Sequence, residues 1–365
     1  QKHFKPLTWV GNNASSRAIT GLGFTPDIVW AKATNATYQH MFMTSPIGGN
    51  KVGHTQSTAA FDTNFQYGYL TSFDSDGFTI QSGSSSIENL NETNKNYVSW
   101  NWKCGGAPTA TNSANIGAAP TSGSVMIDGV ASSSAVAGTL LTKKLTANTQ
   151  SGVSTSIYVG NGAGSGSFAH GLGKKPRFVL HKRINASDSW IAHWQIGTGV
   201  LSCALNNSLA VGTNDTTYGT HTTDVVTMIS SSGARNTANE EHVAMCFAEV
   251  PGFSSIGQLY GTGNLGERST FVECGFRPAF IMIKSVTNGQ WWVIHDSARE
   301  NGHNPINNRL FPNDSAVSDT NGNLEFHTTG FKFYSGAENL SNVYAYYVAF
   351  ADQPKAFANA GLKNI

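Results

Sequence analysis

Charge is scarce in this chain. Asp, Glu, Lys and Arg make up 12% of its 365 residues, and 23 basic against 22 acidic side chains leave a formal net charge of +1. That balance excludes the basic stripe that nucleic acid requires and the cationic face that anionic lipid attracts. No apolar run reaches the length of a membrane-spanning helix, so no membrane span is expected. Cysteine is sparse too. Cys104, Cys203, Cys246 and Cys274 share no C-x-x-C spacing, and a core of this size needs no disulfide framework, so free and mostly buried thiols are expected. A sustained 3.6-residue period is missing as well. With 39 glycines and abundant Ser, Thr and Asn, the chain favours strands and turns over helix interiors. The first residues do not read as a signal peptide, and an opening without Met predicts a processed product or part of a longer one.

What is present is self-similarity, the first thing to seek in a long chain. GFTPDIVWAK (Gly23 to Lys32), GKKPRFVLHK (Gly173 to Lys182) and GFRPAFIMIK (Gly275 to Lys284) each read Gly, two residues, Pro, one residue, an apolar triplet, one residue, Lys. Upstream lie WVGNN (Trp9 to Asn13), YVGNG (Tyr158 to Gly162) and YGTGN (Tyr260 to Asn264). Downstream, each copy closes on an alternating run: YVSWNW ending at Trp102, HVAMCF at Phe247 and AYYVAF at Phe350. Leu70 to Thr79 parallels Leu324 to Lys332, whereas the second copy offers only Val225 to Ile229 there.

Proline fixes φ and cannot donate to a ladder, so it belongs at a strand start, and the apolar triplet after it reads as a strand buried on both faces. Short runs bounded by Gly, Asn, Asp and Pro are the pattern of antiparallel sandwiches. The expected fold is therefore all-β, with three tandem antiparallel β-sandwich units of jelly-roll or lectin-like kind. The units span 1–106, 154–257 (diverged) and 258–365 with a C-terminal tail. Between the first two, residues 107–153 are rich in Ala, Ser, Thr and Gly. They are too poor in charge for a solvated tail and too small-residued for a core of their own. They predict either a linker or, preferred, a partly ordered arm that pairs with the sheet edge of a neighbouring domain or chain, reaching a second copy in a homo-oligomer.

No catalytic constellation stands out. Glu240, Glu241, Asp74 and Asp76 are the carboxylates a glycan depolymerase could use, but no pairing places them across a sugar ring. His295-Asp296-Ser297 are neighbours that a strand would point apart. Asp74-Ser-Asp-Gly77 and Asp319-Thr-Asn-Gly-Asn323 imitate the start of a calcium loop without its closing Glu, and both read as turns. No enzyme activity, metal or cofactor is expected. The residues suited to a surface glycan are Trp190, Trp194, Trp291 and Trp292, with His193 and Arg299 as polar partners. Alternation puts Trp190 and Trp194 on one face and sends Trp291 and Trp292 to opposite faces.

The opening Tyr-x-Gly-Asn, the G-F-x-P-D strand, the L-T-S-F-x-S-D-G-F hairpin and the Y-V-x-W-x-W ending resemble the repeats of tail-associated structural proteins of marine tailed bacteriophages. Ala147-Asn-Thr149, Ala349 to Pro354 and Phe357 to Ala360 are similar to the same proteins. The resemblance covers nearly the whole chain and is weakest at 107–145. It implies a virion protein assembled in the host bacterial cytoplasm, a tail fibre or tail-tip component touching other virion proteins and host-surface glycan. It also implies a trimer, the habit of phage fibres. A capsid-surface decoration protein and a secreted lectin-like module are the alternatives. Asp296-Ser-Ala-Arg299 matches that family's D-S-x-R turn, where the first unit has Thr44-Ser-Pro-Ile47 and the second His193-Trp-Gln-Ile196.

Overall fold

A computed structural model describes residues 3–63, 65–85, 89–197, 199–212, 215–229, 233–262, 269–287, 289–322, 324–333 and 343–351. The expected C-terminal tail, the end of the YGTGN segment and the Phe357 to Ala360 motif lie outside them. The all-β sandwich class expected from the sequence is the class observed.

In the first third, β1 (Phe4–Val10), β2 (Arg17–Thr20), β3 (Ile28–Ala33), β4 (Met41–Thr44), β5 (Tyr69–Asp74), β6 (Gly77–Gln81) and β7 (Asn96–Trp102) form two sheets, ordered β1-β7-β3-β4 and β2-β6-β5. Residues 125–148 supply β8 (Val125–Ile127), β9 (Val130–Ala131) and β10 (Leu141–Asn148). Next come β11 (Val153–Val159), β12 (Gly166–Ala169), β13 (Pro176–Arg183), β14 (Ile191–Ile196), β15 (Gly199–Ala204), β16 (Val225–Met228) and β17 (Glu241–Ala248). Their large sheet contains the run β11-β17-β13-β14, faced by the pair β12-β16. The last third has β18 (Ser254–Gly261), β19 (Phe271–Glu273), β20 (Pro278–Ser285), β21 (Trp292–Asp296), β22 (Leu324–His327), β23 (Gly330–Phe333) and β24 (Val343–Ala351), ordered β18-β24-β20-β21 and β19-β23-β22. The same strand order thus occurs three times. Pro176 and Pro278 open their strands at a register irregularity, where a residue without an N–H removes no ladder bond.

Each third has its own apolar interior between large and small sheet, around Phe78, Phe168 and Phe331 respectively. The other faces of the three large sheets meet in one further cluster. Register makes their contributions correspond: Ile28 pairs with Trp102, Phe178 with Phe247 and Phe280 with Phe350. Trp102 lies 6.1 Å from Phe247 and 5.6 Å from Phe350, centroid to centroid, so rings of all three thirds touch. The void left among them is about 20 Å³, room for one water at most.

Polar groups close the seams in a cycle. Trp190 Nε1 donates to the His54 carbonyl at 3.0 Å, and Trp292 Nε1 donates to the Ala204 carbonyl at 3.1 Å. His40, at the matching place in the first third, has Nε2 3.0 Å from the Phe311 carbonyl, while its Nδ1 accepts from Trp30 Nε1 at 3.0 Å. A carbonyl can only accept, so this ring is the Nε2–H tautomer, and burial holds its pKa well below the ordinary value. Two of the three motif lysines serve the same seams. Lys182 Nζ donates to the Thr58 carbonyl at 3.2 Å, and Lys284 Nζ donates to the Ser208 carbonyl at 3.2 Å, each in the preceding third. Lys32 donates to the Ala33 and Ala36 carbonyls at 2.6 and 3.1 Å. Burial lowers Lys32 to about 7 and Lys182 to about 8.

The arm is ordered as strands within its own chain: β10 pairs antiparallel with β11, and β8 pairs parallel with β10, extending the second large sheet at its edge. Asn112 Oδ1 accepts from Ala114 N and Thr121 N, ordering the approach to β8.

Two glycines carry the small sheets. A Cβ on Gly77 would lie 1.9 Å from the Ile19 carbonyl oxygen, and one on Gly330 would lie 2.0 Å from that of Val272. Gly77→Ala and Gly330→Ala must each force a strand aside and are expected to cost roughly 2 kcal/mol or more. Urea denaturation monitored by far-UV circular dichroism checks this; a midpoint unchanged in both variants would contradict it.

Candidate functional site

Trp292 begins β21 with its ring in the shared core, so its neighbour Trp291 must face the other way, and 42% of it is exposed. The Trp291 ring stands edge-on to Phe311, with centroids 4.9 Å apart and planes at 87°. Arg309 lies 5.4 Å from the centre of the Phe311 ring and grips Asp319 with two bonds, Nε to Oδ1 and Nη2 to Oδ2, both 2.8 Å. Burial alone would raise the Asp319 carboxyl. The hydrogen bonds from Arg309 and Asn321 and the Arg309 charge outweigh it and hold the group below its ordinary value, so it stays ionised. These side chains wall a surface cleft of about 510 Å³ floored by Ile283 and Val293, with Val317 on the far lip.

Matching positions in the other thirds differ. The place of Trp291 is taken by Gln39 and Ser189, and that of Phe311 by His54 and Ala204. The bridge Arg309 to Asp319 corresponds to Val52 to Asp62 and Ser202 to Gly212. Among these matched positions, the aromatic pair and the Arg–Asp fork occur in the last third alone.

Most of the residues expected to touch glycan lie elsewhere. Trp190, Trp194 and Trp292 are wholly buried in the shared core, with Trp194 stacked on Trp292 at 5.4 Å. Trp190 and Trp194 do share a face, but that face is covered by the neighbouring sheets. His193 is buried inside the second sandwich, its Nε2 2.9 Å from His221 Nε2 and its ring 3.8 Å from that of Tyr218. The Arg299 side chain is only 5% exposed: its Nε donates to Asp296 Oδ2 at 2.6 Å, and its two terminal nitrogens donate to Ser318 Oγ and the Ile294 carbonyl. Asp296 Oδ2 also accepts from Trp100 Nε1 at 3.0 Å, tying the first third to the last. The D-S-x-R turn is therefore a seam fastener. Its counterpart in the second third is Trp194 rather than His193, since Asp296 pairs with Phe280 as Trp194 does with Phe178. Of the six, Trp291 alone opens to solvent.

Two of the four acids considered for catalysis, Asp74 and Asp76, serve local structure. Asp76 accepts from the Gly21 amide at 3.0 Å and the Gly23 amide at 2.5 Å, and Asp74 accepts from Thr79 Oγ1. Asp74 and Gly77 close the β5–β6 hairpin as a turn. Cys104, Cys203 and Cys246 are buried free thiols.

These features define an all-β protein whose large sheets share one core, bearing an aromatic cleft with a charged fork among the described residues. The chain belongs to the family described as Domain of unknown function (DUF7483), whose match spans residues 1–137 and 127–354. Comparison with curated proteins and with solved structures found no match.

Truncating Trp291 removes an exposed ring, whereas truncating Arg299 leaves a buried carboxylate unpaired. Trp291→Ala is expected to shift stability by less than about 0.5 kcal/mol and Arg299→Ala to cost about 3 kcal/mol or more. Thermal melts of the two variants decide it, and comparable losses would be inconsistent with this assignment.

Acid should loosen the second sandwich. Burial lowers His170 to about 4 and His221 to about 3, and holds His181 and His193 well below their ordinary value. The folded chain then binds fewer protons than the unfolded one, whose histidines titrate near 6.5. Stability from these neutral rings is complete above that pH and is lost as pH falls towards 4, by about 1.4 kcal/mol per unit for each ring. Denaturant midpoints followed from neutral pH down to about 5 should fall steeply in the native chain and less steeply in His221→Gln; a flat profile would refute the burial argument.

Proposed function

We propose that the chain is a non-enzymatic structural protein of a bacteriophage virion, a tail fibre or tail-tip component that contributes to attachment at the host surface and contacts other virion proteins. The observation that carries this reading is the division of labour among its polar and aromatic residues. Buried Trp, Lys, His and the Asp296–Arg299 pair are spent on seams within the body, and one aromatic cleft faces outward. The G-x-x-P and closing motifs that resemble phage tail proteins fall on the strands whose outer faces form the shared core. A rigid body with one specialised surface suits a building block that presents a contact site.

The reading is tested by gold-labelled antibody against the purified chain, imaged on intact particles of the source phage. Label at the tail is the expected result. Label on the capsid lattice would make the chain a decoration protein, and particles without label would sink the proposal. The purified chain should also release no oligosaccharide from host-surface polysaccharide.

A further inference from the structure

The threefold recurrence of one strand order supplies an internal control. What the fold requires at a position should occur, in some form, in all three thirds. The backbone N–H before the fourth strand of each large sheet, for example, always meets a side-chain carbonyl: His40 that of Gln56, Trp190 that of Asn206 and Trp292 that of Asn313. Trp291, Phe311 and the Arg309–Asp319 fork fail that criterion. They stand in one third only, side by side, around a cleft open to solvent. Folding of this architecture does not account for them.

From this we infer that the cleft is a saccharide-binding site, with a pyranose ring stacked on Trp291 and its hydroxyl groups held by the Asp319–Arg309 fork. The inference rests on the attachment reading above and names the ligand class at its surface. A pyranose has one face of C–H groups and a rim of hydroxyls. The exposed indole offers an electron-rich plane for the C–H face, and Ile283, Val293 and Val317 continue that apolar surface. At its edge Asp319 Oδ1 accepts from Arg309 Nε and the Asn321 amide and Oδ2 accepts from Arg309 Nη2, so Oδ2 is the atom that can take a further hydroxyl donor. The fork fixes the carboxylate before any ligand arrives, so little ordering opposes binding. Gln290 and Ser285 stand on the same wall with amide and hydroxyl groups. A purely apolar ligand would desolvate the Arg309–Asp319 pair without supplying a new hydrogen bond, and a nucleic acid would meet a carboxylate beside the cation it needs.

The eight tryptophans make the test selective. Seven are buried and Trp291 alone is exposed, so the iodide-quenchable part of the emission reports this residue. The full-length chain is titrated with methyl glycosides of glucose, galactose, mannose and N-acetylglucosamine and with their linear trisaccharides, and iodide quenching and calorimetry are read together. At least one glycoside is expected to protect Trp291 saturably, with affinity on the order of millimolar for a single ring. Trp291→Ala should abolish its heat of binding, and Asp319→Asn should weaken it about tenfold with the melting temperature kept within a few degrees. Gln39→Ala, at the matching position of the first third, should change nothing. Protection by none of the sugars, or calorimetric binding that survives Trp291→Ala, overturns the inference. So does equal protection by cyclohexanol that Asp319→Asn does not weaken, which would mark the cleft as merely apolar. Particle labelling remains independent: a tail-located chain that binds no sugar removes this inference and leaves the structural reading standing.

Discussion

Everything in this protein depends on three sheets burying one common face. A lone sandwich has two sheets, each with an inner face towards its partner and an outer face towards water. Here the outer face of each large sheet carries Trp, Phe and Ile, and the other two thirds cover it. Burial of such side chains is worth about 1.5–3 kcal/mol apiece, so the three thirds are held together by the same force that folds each one. The polar seams add direction to that force: Trp190, Trp292 and His40 each reach a carbonyl of an adjoining third, which fixes how the sheets are rotated against one another.

Much of this was legible in the residues. The G-x-x-P segments mark the strands that pair with the closing aromatic runs, because proline and an apolar triplet have few other places to go in an antiparallel sheet. The opposite faces of Trp291 and Trp292 followed from strand alternation. The fate of Trp190 and Trp194 did not. Alternation gave their shared face, but a two-layer sandwich leaves that face solvated, and nothing local announces a third layer. The motif lysine was visible three times, and its use was hidden, since the carbonyls it meets at Thr58 and Ser208 lie far away in sequence.

Arg309, Phe311 and Asp319 escaped sequence reading for a different reason. They sit outside the alternating runs, and Asp319 begins a run of Asp, Asn and Gly that resembles an ordinary turn. Position-by-position comparison of the three thirds could have found them, because they break a correspondence that their neighbours keep. It required the register, which length differences between the thirds obscure.

The fastening of Trp100 to Asp296 joins residues 196 positions apart. During synthesis the first third therefore leaves the ribosome with the outer face of its large sheet bare, and the surface that will cover it is not yet made. At about 5–20 residues per second that exposure lasts for ten seconds or more. A chain cut short before the last third would keep two wide apolar sheets open to other molecules. Completion of this fold is thus bound to completion of the polypeptide, and a prematurely ended product is marked by its own stickiness for chaperones or for clearance.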